Sequence, residues 1–204
     1  MQFLFVPVLA AILIALLRGG HVKNFARLHL RHPWLPPAMF FLQATIVLFP
    51  HGRSEFFLEL RPWINLTTYA MLIAFLVVNR SLPGMRFILI GAALNLAVIV
   101  ANGGYMPVTS EALSQSGHLD MVYMHDDRAF VLGSKDIVLP QDQTRLLMLS
   151  DVVKMPDWMY VPATFSIGDI FIMIGAAWLP YRTIRGIPAE KDSLFLSSSP
   201  EETR

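Results

Sequence analysis

The sequence predicts an all-α integral membrane protein with about five transmembrane helices and one long outer loop. Three observations predict this fold class: 54% of the 204 residues are hydrophobic, the mean hydropathy is +0.51, and the apolar residues gather in long stretches. The stretches lie at 2–17, 34–49, 64–78, 87–101 and 165–179. The first four contain no charged residue. Unpaired backbone groups are costly in lipid, so such segments are expected to cross as α-helices.

The length of these stretches leaves an alternative open. A helix needs roughly 20 residues to cross hydrocarbon about 30 Å thick, and each stretch falls about one turn short. Local thinning of the bilayer can compensate for the missing turn. The alternative is a soluble all-helical protein with buried core helices. No basic residue precedes the first stretch and Arg18 follows it directly, so we expect an uncleaved helix rather than a signal peptide.

Basic residues in the short turns predict the orientation. They follow the first, third and fifth stretches: Arg18, Lys23, Arg27 and Arg31; Arg80 and Arg86; Arg182 and Arg185. Under the positive-inside rule these turns lie in the cytoplasm, while the N-terminus and residues 50–63 and 102–164 face outward. The predicted organisation is a four-helix membrane portion at 1–101, an outer loop at 102–164, a fifth helix at 165–180 and a mobile cytoplasmic tail at 181–204.

Local motifs predict how the helices are joined. Pro83 and Gly84 mark a tight turn, so the third and fourth helices should form an antiparallel hairpin. The Asn-Gly-Gly run at 102–104 should end the fourth helix, because glycine permits backbone angles that other residues avoid. In the outer loop we expect a short capped helix at 109–113, a strand hairpin at 130–133 and 137–140, and an apolar stretch at 146–153 packed onto the helices.

Composition and motifs argue against several kinds of chemistry. The net charge of +1, with basic residues in cytoplasmic anchors, argues against a nucleic-acid partner. The absence of cysteine excludes disulfides and thiolate chemistry. No nucleotide or serine-hydrolase motif occurs, and no cofactor is predicted. His125, Asp126 and Asp127 carry metal-binding groups, but adjacent residues converge poorly on one ion, so no metal site is predicted.

Asp169 is the charged residue inside the fifth predicted helix, about one turn from its outer end. An ionisable group in a membrane helix is a candidate for transport or catalysis, because its burial is costly. The structural interpretation is that Ser166 and Asp169 cap the first turn of the helix, where the carboxylate meets the positive end of the helix dipole. Both interpretations stay open.

Amide side chains also lie inside the other predicted helices. They are Gln43, Asn65 and Asn95. Such groups commonly join neighbouring helices by hydrogen bonds. The alternative is a polar pathway that these three amides line together with Asp169.

Four motifs of the chain occur together in a known family. They are Leu-Arg-Gly-Gly at 17–20, the Asn-Arg-Ser-Leu-Pro-Gly turn at 79–84, the Asn-Gly-Gly-Tyr-Met-Pro-Val run at 102–108 and Phe-Ser-Ile-Gly-Asp at 165–169. With them the chain resembles the bacterial membrane family catalogued as domain of unknown function 5317, over roughly residues 1 to 180. The resemblance implies a small multi-helix protein of the bacterial cytoplasmic membrane with no established activity. The family's Leu-Gly-Asp-Val reads Leu-Ser-Asp-Val here at 149–152.

Two of these motifs lie on the same predicted outer face. If the fourth and fifth long helices pack together, they bring one polar cluster together: Asn102, Gly103, Gly104, Ser166 and Asp169. We expect the Asp169 carboxylate to accept hydrogen bonds from the glycine amides and so to fix the outer loop against the helices.

Three classes of function remain compatible with the sequence. The favoured class is a structural or accessory membrane protein that engages a membrane-protein partner through its outer loop. The second is a small-molecule or ion transporter, which requires a polar cavity at the midplane. The third is a membrane enzyme acting on a lipid or envelope precursor at the outer surface. The lipid bilayer is a partner in each, since cytoplasmic basic residues attract anionic headgroups.

Overall fold

The computed structural model is mostly helical and carries a small mixed sheet. It describes residues 5–48, 55–115, 122–125, 127–131, 134, 136–154 and 164–186. The α-helices are α1 (Phe5–Leu17), α2 (Leu35–Leu48), α3 (Glu55–Val78), α4 (Met85–Ala101), α5 (Ser110–Gln115) and α6 (Ile167–Ile184). Short 3-10 helices lie at Val22–Arg27, Gln141–Gln143 and Leu147–Leu149. The strands are β1 (Met106–Thr109), β2 (Val122–His125), β3 (Arg128–Val131), β4 (Asp136–Leu139), β5 (Val153–Lys154) and β6 (Thr164–Phe165).

One stretch of the described chain is both long and apolar enough to cross a bilayer. It is Glu59–Val78 in α3, with 20 residues and a mean hydropathy of 1.3. The helices α1 and α4, and the Leu35–Ile46 part of α2, are apolar but shorter. The mostly helical fold class is thus confirmed, with one possible membrane-spanning helix.

Two helices are longer than the predicted apolar stretches. The segment 50–63, predicted as a turn, is helical from Glu55 onward, and Pro62 lies inside α3. Proline removes one helical hydrogen bond, but here its ring packs against Gly104 at the end of α4. At the other end of the chain α6 continues to Ile184, into the predicted tail. Residues 187–204 of that tail lie outside the described part of the chain.

Glycines bring α4 and α6 into backbone contact. Gly91 faces Gly168 and Gly84 faces Gly175, and a side chain on any of these four would collide with main-chain atoms across the interface. The two glycines on each side are seven residues apart, so they lie on one face of an antiparallel pair. The α1 helix packs on α6, α3 packs on α4, and α2 packs on α3.

The sheet has the order β1-β4-β3-β2, and β1 pairs with β4 in parallel while the other pairs are antiparallel. The predicted hairpin is confirmed, since Ala129 pairs with Val138 and Phe130 pairs with Ile137. The predicted capped helix is also confirmed as α5, where the Thr109 hydroxyl accepts the amide hydrogen of Ala112. Residues 106–154 are called the sheet subdomain below.

The sheet subdomain packs back onto the helices, as predicted for the apolar stretch at 146–153. Leu149 contacts a buried cluster that contains Tyr69 of α3, Val98 and Ile99 of α4, and Met106 of β1. The α3–α4 hairpin around Gly84 is confirmed, and α4 ends at Ala101 as the Asn-Gly-Gly run predicts. The subdomain is therefore seated at one end of the helices rather than tethered to it.

We expect Gly168→Ala to lower stability strongly, because its methyl group would meet the carbonyl oxygen of Gly91 and the side chain of Asn95. Overpacking of this kind costs about 1–3 kcal/mol. The measurement is the thermal unfolding midpoint of the purified protein in detergent. Gly103→Ala is the control, since open space surrounds Gly103 and only its positive φ is strained. Equal midpoints for the two variants would show that α4 and α6 do not depend on close backbone contact.

Candidate functional site

The polar centre of the α4–α6 interface consists of Ser166, Asp169 and Asn95. Ser166 precedes α6 and forms a capping box with Asp169: the Ser166 amide donates to Asp169 Oδ2 and the Asp169 amide donates to Ser166 Oγ, both at 3.1 Å. The predicted capping role of these two residues is therefore present.

Asn95 of α4 closes the arrangement from the facing helix. Its Nδ2 donates to Asp169 Oδ1 at 2.9 Å, and its Oδ1 accepts from Ser166 Oγ at 2.9 Å. Asn95 is 1% exposed and Ser166 is fully buried. Both carboxylate oxygens of Asp169 thus accept hydrogen bonds, and the carboxylate lies at the N-terminal end of the α6 dipole.

The other members of the predicted cluster lie elsewhere. The amides of Gly103 and Gly104 donate to the carbonyl oxygens of Val100 and Ile99, within the C-terminal turn of α4. The predicted bonds from these amides to Asp169 are therefore absent, because the helix end uses the amides itself. The structure brings Ser166 and Asp169 together with Asn95, and not with residues 102–104.

Asn102 instead holds the sheet subdomain to α4. Its Nδ2 donates to the carbonyl oxygens of Val98 and Arg145, and its Oδ1 accepts the amide hydrogen of Arg145 at 3.0 Å. One side chain thereby bonds both backbone groups of a loop residue and adds a second hydrogen bond to the Val98 carbonyl, which also accepts the Asn102 amide hydrogen. Leu146 follows with a left-handed φ of 56°.

Asn79, which directly follows α3, forms the same arrangement of hydrogen bonds with another loop. Its Nδ2 donates to the carbonyl oxygens of Phe75 and Arg31, and its Oδ1 accepts the amide hydrogen of Arg31 at 2.8 Å. His32 follows with a φ of 54°. Two asparagines at helix ends therefore fasten two distant loops by the same geometry.

The remaining amides form a separate group. Gln43 of α2 donates to Asn65 Oδ1 at 3.3 Å, and Asn65 Nδ2 donates to the carbonyl oxygen of Gly104 at 2.9 Å. Asn65 is fully buried. These bonds join α2, α3 and the end of α4. Asn95 bonds to Asp169 instead, so the three amides belong to two separate groups, and each group links helices.

Arg61 is a residue that the sequence analysis missed, because it was assigned to a turn. It lies in α3 and is 4% exposed. Its Nη1 donates to the Tyr123 hydroxyl at 2.6 Å, and its guanidinium carbon lies 5.9 Å from the Tyr123 ring centroid and 5.7 Å from that of Phe130. The signal in the sequence was a basic residue bordering an apolar stretch.

Tyr105 lies beside this cation. Its ring centroid is 5.5 Å from that of Phe130. Burial raises the pKa of Tyr105, and the positive charges of Arg128 and Arg61 partly oppose that increase. The phenol therefore stays protonated at neutral pH.

No metal site was predicted at 125–127, and Asp126 of that cluster lies outside the described residues. His125 and Asp127 border the turn between β2 and β3. Among the residues that the structure describes, no three histidine or acidic side chains are grouped so that they could hold a metal ion.

Comparison with known proteins identifies relatives without an assigned activity. A model described as a family of unknown function, DUF5317, matches residues 27–181. An uncharacterised protein of Thermotoga maritima is 32% identical over 127 residues, which cover 59% of this chain and 66% of that protein. The match thus spans slightly less than two thirds of that relative. No solved structure matches.

We expect Asp169→Asn to be tolerated better than Asp169→Leu. The amide keeps one oxygen that can accept a hydrogen bond, whereas leucine leaves the Ser166 amide and Asn95 Nδ2 unsatisfied at about 1–3 kcal/mol each. Unfolding midpoints in detergent measure the difference, and exposed Asp142→Leu is the control for removal of a carboxylate. The same loss of folded protein in both Asp169 variants would contradict the role of the capping oxygen.

Asn102→Ala and Asn79→Ala should loosen different loops. Each change removes three hydrogen bonds to backbone groups, so hydrogen exchange should increase at 140–150 in the first variant and at 28–34 in the second. Mass spectrometry after exchange measures both regions, and each variant is the control for the other. A uniform increase over the whole chain, or none, would show that the asparagines do not hold these loops.

Proposed function

We propose that this chain, which belongs to the DUF5317 family, is a structural or accessory protein of the bacterial cytoplasmic membrane. In this proposal the helices cross the bilayer several times, and the sheet subdomain lies at the outer surface and engages a membrane-protein partner. The observation that carries the proposal is the hydrogen bonding inside the helices: the amides and the carboxylate join protein segments to each other.

Exposed apolar side chains support the membrane part of the proposal. Phe5, Leu9 and Leu17 of α1 are 67%, 62% and 78% exposed, and Phe40 and Phe41 of α2 are each 70% exposed. Large contiguous apolar surfaces are uncommon on water-soluble monomers, but they match lipid chains. The shorter helices α1, α2 and α4 then require local thinning of the bilayer.

The basic residues support the orientation. The His21 amide and Asn24 Nδ2 both donate to the carbonyl oxygen of Ile184 at 2.9 Å, which joins the basic turn after α1 to the end of α6. Asn79 binds Arg31, so the turn between α3 and α4 lies near that basic turn as well. The positive-inside rule assigns such an end to the cytoplasm and the sheet subdomain to the outside.

The attachment of the sheet subdomain supports a role as a partner-binding surface. Asn102, Asn65 and Arg61 all join it, or the turn before it, to the membrane helices. Attachment to rigid helices holds a binding surface in a fixed position relative to the membrane. This favours the accessory class over transport, for which Asp169 would need to face a polar pathway.

Because the chain contains no cysteine, single cysteines test this function cleanly. We expect Ser114→Cys in α5 to react with an impermeant maleimide in right-side-out membrane vesicles, and Ser81→Cys in the α3–α4 turn to react only after permeabilisation. Both serines are exposed, so the two variants are matched. A benzophenone maleimide on Cys at position 114 should then give a discrete crosslinked partner.

Either of two results would contradict the proposal. Labelling of Ser81→Cys in sealed vesicles would reverse or abolish the predicted topology. Correct topology without a discrete crosslink from position 114, or from other exposed positions of the sheet subdomain, would remove the accessory role and leave the membrane arrangement intact.

A further inference from the structure

Arg61 is a buried cation whose bonding is incomplete. Its side chain is 4% exposed, and its Nη2 atom is buried without a hydrogen-bond partner among the described residues. A buried charge is costly unless it is paired and hydrogen-bonded. Guanidinium carries five N–H donors, and the bond to the Tyr123 hydroxyl accounts for one of them.

Two aromatic rings flank the guanidinium of Arg61. The Tyr123 and Phe130 rings lie within 6 Å of its carbon atom, a distance at which aromatic faces attract a cation. Both rings belong to the sheet, and Tyr123 stacks beside Phe130 at 5.8 Å. The cation is therefore fixed in place from two strands, so a ligand would meet a preorganised donor.

The hydrogen-bond donors that remain unused at this position match the acceptor oxygens of an oxyanion. The Tyr123 oxygen accepts the bond from Arg61, so the hydroxyl hydrogen is not used by that bond and can be donated to a ligand. Arg61 Nη2 supplies a second donor next to it. Two adjacent donors, one of them charged, match the oxygens of a phosphate group.

The position in the fold indicates where the ligand comes from. Arg61 is the third residue of the Glu59–Val78 stretch, so in the proposed orientation it lies level with the outer headgroups. Tyr123 belongs to β2, the edge strand of the sheet, and is half-buried, so a ligand would approach from the side of the Tyr123 hydroxyl.

We propose that Arg61 and Tyr123 form a binding site for a phosphate oxyanion at the base of the sheet subdomain. The oxyanion is either free inorganic phosphate or the phosphodiester of a phospholipid headgroup. This site is additional to the proposed accessory role and does not require a protein partner. The two proposals can therefore fail separately.

The test compares thermal unfolding of the delipidated full chain in a maltoside detergent. One arm adds sodium phosphate against sodium chloride of the same ionic strength. The other adds short-chain phosphatidylglycerol against a phosphate-free galactolipid. We expect a saturating phosphate ligand to raise the midpoint of the wild type by about 5 °C and to leave Arg61→Gln unchanged. Arg145→Gln, an exposed arginine of the same subdomain, is the matched control and should respond like the wild type.

The outcomes separate the sources and can overturn the site. A response to sodium phosphate identifies a free anion, and a response to phosphatidylglycerol alone identifies a headgroup. No response in either arm, or an equal response in Arg61→Gln, would overturn the proposal. If Arg61→Gln does not fold, Tyr123→Phe decides: it keeps the guanidinium and should weaken binding about tenfold, since one hydrogen bond is lost. Unchanged affinity in Tyr123→Phe would then overturn the site.

Discussion

The backbone contact between α4 and α6 is the constraint on which the rest of the structure depends. Small residues let helix backbones approach closely, so that the contact is stabilised by van der Waals packing and hydrogen bonds. Gly91 against Gly168 and Gly84 against Gly175 provide this approach. Asn95 lies one turn beyond Gly91, so the same contact brings its amide within reach of Ser166 and Asp169. The polar centre is thus a consequence of the glycine contact.

Outside that interface, amide side chains act as substitutes for backbone. Asn79, Asn102 and Asn65 each donate to main-chain carbonyl oxygens, and the first two also accept an amide hydrogen from the loop that they bind. An amide side chain carries the same donor and acceptor as a peptide group, so it can continue the bonding where a helix ends. This explains how segments without long secondary structure are held against the helices on both sides.

The sequence predicts the parts of this structure that depend on neighbouring residues. The end of α4 at the Asn-Gly-Gly run, the capping box of Ser166 and Asp169, and the β3–β4 hairpin all follow from local patterns. No local pattern encodes contacts between residues far apart in the sequence. Examples are the parallel pairing of β1 with β4 and the hydrogen bonds of Asn102 to Arg145. The seven-residue glycine spacing is visible in the sequence, but only the structure shows that two such pairs face each other.

Asp169 and Arg61 are two of the charged residues in the helices, and the structure satisfies their hydrogen bonding to different extents. Asp169, which the sequence singles out, has hydrogen bonds to both carboxylate oxygens and sits at a favourable helix dipole, so its charge is accounted for by the fold. Arg61, which lies beside Pro62 and was assigned to a turn, has a buried nitrogen without a hydrogen-bond partner among the described residues. A charge that the fold satisfies needs no ligand, whereas one that it buries and leaves incomplete is better explained by a ligand. The more informative charge can therefore lie in a segment that the sequence assigns to a turn next to an apolar stretch.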